Sequence, residues 1–215
     1  MRRKMVGYDD YLLYYSSKLG RKSFILKKGE GRIMLSAPHA AEQTRNGHKK
    51  YGEYLTGVLI NMLHDELDCP IIVKEKNCSD DANRDERCRY KARLKKYVEK
   101  HGIAYLIDLH QMNPEREELI DIGTGEGKNI EREPTLAERA KKAFEDEGIG
   151  NVSIDRRFTA VHPFTVSAFI ARECSVPCLQ IEFNTRLLSK RYEECRFEEV
   201  MNAMKKLIRE LNGNI

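Results

Sequence analysis

Short apolar runs bounded by turn residues alternate along this chain with longer segments of helical periodicity. Residues 23–27 and 32–36 read as strands on either side of a turn at Gly29 to Gly31, which predicts a hairpin. Residues 51–67 carry apolar positions at Tyr54, Leu55, Val58, Leu59, Met62 and Leu63, the spacing of a helix. A β-branched strand follows at 70–73, then a polar loop from Cys78 to Arg87, then a helix over 87–99. Residues 103–109 form a nearly continuous apolar run, the pattern of a strand covered on both faces. Further strands are predicted at 118–123, around Val152 and Ile154, and over 177–184; helices are predicted at 134–147, 163–174 and 193–211. Residues 1–20, with Tyr8, Tyr11, Leu12 and Leu13, read as an N-terminal helix or arm. Strands alternating with helices, with no linker or repeat, predict one α/β domain over 1–215 with a mixed central sheet flanked by helices.

Ligand sites in such folds lie beyond the carboxyl ends of strands, and several chemically active side chains fall there. The run from Ile33 stops at Pro38, which removes a backbone donor and constrains the residue before it. His39 and Glu42 follow three residues apart, so on a turn they point the same way. An imidazole and a carboxylate facing one point are two of the three ligands of a His₂Glu zinc site. The alternative is a helix-start glutamate beside an ordinary surface histidine. His110 closes the buried run; alone it reads as a core histidine on a backbone carbonyl, but beside His39 and Glu42 it is the candidate third ligand, and Asp108, two residues earlier on the same face, either orients its ring or caps a neighbouring loop.

Glu182 lies between Ile181 and Phe183 near the end of a strand. A carboxylate in that setting is costly unless it is paired or chemically employed. It either forms a salt bridge to an arginine or serves as a general base beside a metal. Gln180 and Asn184 share its face. Asn83 and Arg84 sit in a loop with acidic neighbours, where Arg84 is either a solvated charge or a fork for a substrate carboxylate. Arg45 and Arg87 are weaker candidates for the same work. His64 reads as a packing residue, and His48, His101 and His162 lack usable partner spacing.

The loop Gly123 to Lys128 fails both nucleotide-binding patterns: Ile122 stands where a P-loop needs its first glycine, and Asn129 where it needs Ser or Thr. It reads as a substrate-side loop or a plain turn. The chain has 40% apolar and 33% charged residues and a net charge of +4, too mild to argue for nucleic acid but suited to a small anionic substrate. Six cysteines contain no Cys-x-x-Cys pair, which speaks against a zinc ribbon. No long apolar segment follows the basic N-terminus, so no membrane span and a cytoplasmic location are expected.

The ordered set Ser36-Ala37-Pro38-His39, Asn83-Arg84, Leu106 to His110, Asp121-Ile122-Gly123-Thr124 and Leu179 to Asn184 resembles the zinc carboxypeptidase-like superfamily, nearest to the N-formylglutamate amidohydrolases. The likeness covers roughly residues 32 to 190. It implies one Zn²⁺ per chain held by His39, Glu42 and His110, with Glu182 as base and Arg84 as carboxylate anchor. Asn83, Arg45 and Asn184 would complete the substrate contacts, with Asp108 behind the metal ligands. The expected activity is hydrolysis of the C–N amide bond of an N-acyl amino acid. A carboxypeptidase or γ-glutamyl hydrolase, a non-catalytic metal-binding protein and a nucleotide-binding protein are the alternatives. Two departures stand out: the Ala40-Ala41-Glu42 spacing is nearer the carboxypeptidases, and no tyrosine matches theirs.

Overall fold

A computed structural model describes residues 5–213. Its centre is a seven-stranded sheet built from β1 (Phe24–Lys27), β2 (Ile33–Ala37), β5 (Ile71–Lys74), β6 (Tyr105–Met112), β7 (Ile120–Gly123), β8 (Val152–Ile154) and β9 (Cys178–Asn184). The order is β1-β5-β2-β6-β9-β7-β8. Strands β5, β2, β6 and β9 run parallel; β1 on one side and the β7–β8 pair on the other run antiparallel to their neighbours in this block. The sheet is therefore mixed, as the alternation of strands and helices implies.

The predicted hairpin between β1 and β2 does not form. Strand β5 lies between them, and β1 pairs antiparallel with β5. The polar stretch after Glu42 also departs from expectation: it folds into a small separate hairpin, β3 (Gln43–Arg45) with β4 (His48–Lys50). Asn46 and Gly47 both take positive φ at its tip, the conformation a two-residue hairpin turn requires.

Two layers of helix cover the sheet. Odd-numbered positions of the central strands (Ile33, Leu35, Ile107, Leu109, Leu179, Ile181 and Phe183) share one buried core with residues of α1 (Tyr8–Ser16), α2 (Tyr54–Leu67), α4 (Leu136–Asp146) and α7 (Phe197–Gly213). Even-numbered positions Met34, Ile72, Leu106 and Cys178 share a smaller core with α3 (Arg89–His101) and α5 (Val166–Cys174). That division explains the apolar run at 103–107: both faces of β6 are dry at that level. Further along β6 and β9, even-numbered positions are Asp108, His110, Gln180 and Glu182, all buried. The polar face thus begins where the smaller helical layer ends, at the carboxyl ends of the parallel strands. No helix among the described residues is long and apolar enough to cross a membrane.

Candidate metal centre

Strand register assembles the site. β6 and β9 are parallel with Asp108 opposite Gln180 and His110 opposite Glu182, so all four side chains stand on one face. β2 lies on the other side of β6 and ends at Ala37, delivering His39 just beyond its tip. The rings of His39 and His110 meet edge to face with centroids 4.9 Å apart.

The carboxylate between the imidazoles is Glu53. Its two oxygens lie 2.9 Å from His39 Nδ1 and 3.1 Å from His110 Nδ1. The backbone N–H of Gln111 donates to the second oxygen at 3.1 Å, and the N–H of Glu53 donates to the carbonyl of His39 at 2.7 Å. Glu53 occupies the N-cap position of α2 but makes no side-chain cap bond there; its carboxylate is turned to the histidines instead. The hairpin β3–β4 is the excursion that brings the chain back to His39 at this point.

Glu42 is elsewhere. Its carboxylate takes the ammonium of Lys18 at 2.7 Å, and the residue is not part of the His39, Glu53, His110 group whose donor atoms all lie within 4.8 Å of one another. The three-residue spacing placed His39 and Glu42 on one turn; the turn and bend cover residues 38–41, and Glu42 follows them on the way into β3, with its carboxylate on Lys18. Glu42→Gln is accordingly expected to leave metal stoichiometry unchanged, as measured by elemental analysis of the purified variant.

Each imidazole has a second buried acid behind it. His39 Nε2 lies 2.8 Å from Asp81 Oδ1, and His110 Nε2 lies 3.1 Å from Asp108 Oδ2. A carboxylate on Nε2 holds the proton there in the neutral ring, which leaves the Nδ1 lone pair free for a cation. Arg45 donates from Nε to the other oxygen of Asp81 at 2.7 Å. It therefore braces the His39–Asp81 pair while lining the cleft.

The electrostatics describe a place built for positive charge. Burial opposes the charged form of His39, but Glu53 and Asp81 outweigh it and raise its pKa to about 9. Burial likewise opposes the charged form of His110, yet Glu53 and Asp108 hold its pKa well above the usual imidazole range. Glu53 is held well below the carboxylate range: burial pushes it up, and the two histidines more than reverse that. Glu53 thus favours positive charge on both imidazoles, and each imidazole favours negative charge on Glu53. A divalent ion held there would meet that preference, and two imidazoles with one carboxylate are a donor set suited to zinc with a position left open. The residues present fit the metal.

Glu182 lies beside this group with no arginine partner among the described residues; Gln180 Nε2 donates to its Oε1 at 3.1 Å. Burial, then the charges of Glu53 and Asp108, push its pKa up to about 8 against the opposing pull of His110 and His39. Asn83 is buried rather than solvated. Its Oδ1 accepts from the N–H of Val166 at 2.7 Å, and its Nδ2 lies 3.2 Å from His110 Nε2 and 3.4 Å from Gln180 Oε1. Arg84, next to it, is exposed at the cleft and has no ion pair among the described residues. Asn184 does not line the cleft. Its Oδ1 caps the short helix α6 (Thr185–Leu188), and its Nδ2 donates to the carbonyls of Arg116 and Glu118. The strand ends at Asn184 and turns into that helix, which takes the side chain away from the site.

The far wall of the cleft is the loop 156–165, and Asp121 shapes it. The carboxylate of Asp121 accepts the backbone N–H groups of Arg156, Arg157 and Phe158 at 3.2, 2.8 and 2.8 Å. Gly123 permits the close approach: a Cβ there would stand 2.2 Å from the carbonyl oxygen of Phe158. The Gly123 to Lys128 stretch is thus a structural support for this wall. The cleft encloses about 540 Å³, within the range of small-molecule sites. Besides Glu53 and Glu182, its charged lining is Lys50, Arg45, Arg84, Arg116 and Arg157.

No family model and no curated protein sequence matches the chain. Solved structures share its architecture. A bacteriophage poly-γ-glutamate hydrolase aligns with a TM-score of 0.61 at 15% identity, over 90% of this chain and 91% of that one. An N-formylglutamate amidohydrolase from Ralstonia eutropha aligns at 0.58 with 12% identity, over 90% and 98%. The fold is carboxypeptidase-like. A metallo-carboxypeptidase from Burkholderia cenocepacia aligns at 0.57 with 11% identity over 92% of this chain but only 62% of its own. In this carboxypeptidase-like fold, His39, His110 and Glu182 are gathered as the sequence implies, while the places of Glu53 and Asp81 beside His39 do not follow from it. Glu53 had one signal: an acidic residue immediately before the first residue of a periodic helical segment.

Proposed function

We propose that this protein is a zinc-dependent amidohydrolase that cleaves a C–N amide bond in a small anionic N-acyl amino acid. The observation that carries the reading is the paired arrangement of His39 and His110 about Glu53, each ring backed by a buried aspartate, with Glu182 alongside. His39, Glu53 and His110 would hold the ion. Bound there, zinc supplies Lewis acidity, polarising a substrate carbonyl and making water nucleophilic near neutral pH.

The chain's own residues do the rest. Glu182 accepts a proton from the attacking water and delivers it to the departing nitrogen. Burial keeps its basicity matched to that exchange, and Gln180 fixes the orientation of its carboxylate. Arg84 is the cation placed to hold a substrate carboxylate, its planar fork suited to bidentate contact. Arg45 is committed to Asp81 and positions His39.

A second reading on the same centre is a γ-glutamyl-type hydrolase. The exposed cations Lys50, Arg84, Arg116 and Arg157 along the cleft favour it, since an N-acyl amino acid with one or two carboxylates leaves some of them unused. The phage hydrolase of similar fold is named for a polyanionic amide of that kind.

The test is elemental analysis of protein purified without added metal, followed by a panel of N-formyl and N-acyl amino acids, γ-glutamyl peptides and carboxypeptidase substrates. One zinc per chain and hydrolysis of an anionic amide are expected. Metal affinity should rise with pH from about 6.5 towards about 9, because the protonated form of His39 must be vacated for the ion to bind. Calorimetry in buffers of different ionisation enthalpy should show proton release on zinc uptake near pH 7. Zinc bound with no release, or zinc without turnover of any panel member, would overturn the respective parts of the reading.

A further inference from the structure

The loop that walls the candidate active cleft has a second cleft on its other side. This one encloses about 550 Å³ and is lined by Lys128, Arg132, Arg172 and Glu131 around a floor that includes Ala168, Val176 and Pro177. Val161 lines both clefts and is 44% exposed, so it stands as the crest between them. The crest is anchored by hydrogen bonds to the residues before it. The N–H of Gly125 donates to the carbonyl of Thr159 at 2.6 Å, and Asn129 Nδ2 donates to that of Ala160 at 3.2 Å. The two clefts therefore meet at an anchored segment, separated by one small apolar residue.

The second cleft has binding chemistry and little else. Its lining holds no histidine, cysteine or cluster of acids. Lys128 and Arg132 have no ion pair among the described residues, whereas Arg172 already holds Glu173 and the carbonyl of Pro163. Cations around a concave apolar floor concentrate positive potential. The lining also has no aromatic residue, so it lacks the stacking surface that single-stranded nucleic acid uses. Methylene groups fit the floor and carboxylates fit the rim.

We infer that the second cleft is a distal subsite for the substrate of the first: an amide-linked chain of carboxylates crosses Val161 and lays its far carboxylates on Lys128 and Arg132. This deepens the hydrolase reading, since it makes the substrate an extended polyanion rather than a single acyl amino acid. An α-linked glutamate hexamer extends to about 20 Å and is the probe for both clefts, with the dimer as the probe for the first alone.

The inference is tested by binding, with fluorescein-labelled glutamate dimers and hexamers, α-linked and γ-linked, titrated onto zinc-loaded Glu182→Gln protein. The hexamer of one linkage should bind at least about tenfold tighter than its dimer. Adding Lys128→Glu and Arg132→Glu should remove that advantage and leave the dimer within about twofold. Reversing Lys22 and Lys28, which lie outside both clefts, should change neither. Equal affinity for dimer and hexamer, no hexamer binding, or a hexamer advantage that survives the double reversal would each overturn the subsite. So would an RNA hexamer that displaces the glutamate hexamer at lower concentration. Failure of the hydrolase reading would show separately, as zinc-loaded wild-type protein that binds the hexamer by length yet cleaves no amide.

Discussion

Replacing Glu182 by glutamine is expected to lower kcat/KM for the cleaved amide by about a thousandfold or more while leaving zinc binding intact. The magnitude is that of losing a general base and acid in one step, about 4 kcal/mol of transition-state stabilisation. Glutamine keeps the shape of the side chain, and its carbonyl oxygen still accepts from Gln180 Nε2, which now reaches Glu182 Oε1 at 3.1 Å. What it loses is the ability to take a proton. Because Glu182 is not one of the three donors grouped by geometry, zinc stoichiometry should be that of the wild type. Single-turnover kinetics and elemental analysis on the same preparation separate the two properties. Near-normal turnover would remove Glu182 from the mechanism, and lost zinc would make it a ligand.

The second large effect is on metal affinity, and it ranks three carboxylates. Glu53→Gln should weaken zinc binding most, by more than the 10–100-fold typical of residues behind the ligands. The amide cannot supply the charge that now sits 2.9 and 3.1 Å from the two Nδ1 atoms. Asp108→Asn should fall inside that 10–100-fold range, because it touches only Nε2 of His110. Glu42→Gln should do nothing to zinc. Competition titrations with a chromophoric chelator measure all three. The order matters more than the values: a Glu42 variant that loses zinc beside a Glu53 variant that keeps it would restore the short-spacing ligand set.

That ranking marks where local pattern stops being informative. His39, His110 and Glu182 were legible because each ends or follows an apolar run, and a polar group there is either a defect or a site. Asp108 was legible for the same reason, through two-residue alternation along a strand. Glu53 was hidden because it lies fourteen positions beyond His39, across a hairpin whose pairing depends on Asn46 and Gly47 turning the chain. Asp81 was hidden in a run of acidic residues whose usual fate is solvation, yet it is fully buried against His39. Asn184 misled because register places it in line with Glu182, and only the helix that follows diverts it.

The sequence by itself determined the fold class, the strands whose ends carry His39, His110 and Glu182, and two members of the His39, Glu53, His110 group. Alternation and periodicity are local, and a buried polar residue among apolar ones is conspicuous without any partner in view. Tertiary structure alone decided that β5 separates β1 from β2, that Glu53 is the carboxylate set between His39 and His110, and that Val161 lies between two clefts. Those are matters of which remote segments come to lie side by side, and the energy that settles them is shared among many contacts that no short stretch of chain records.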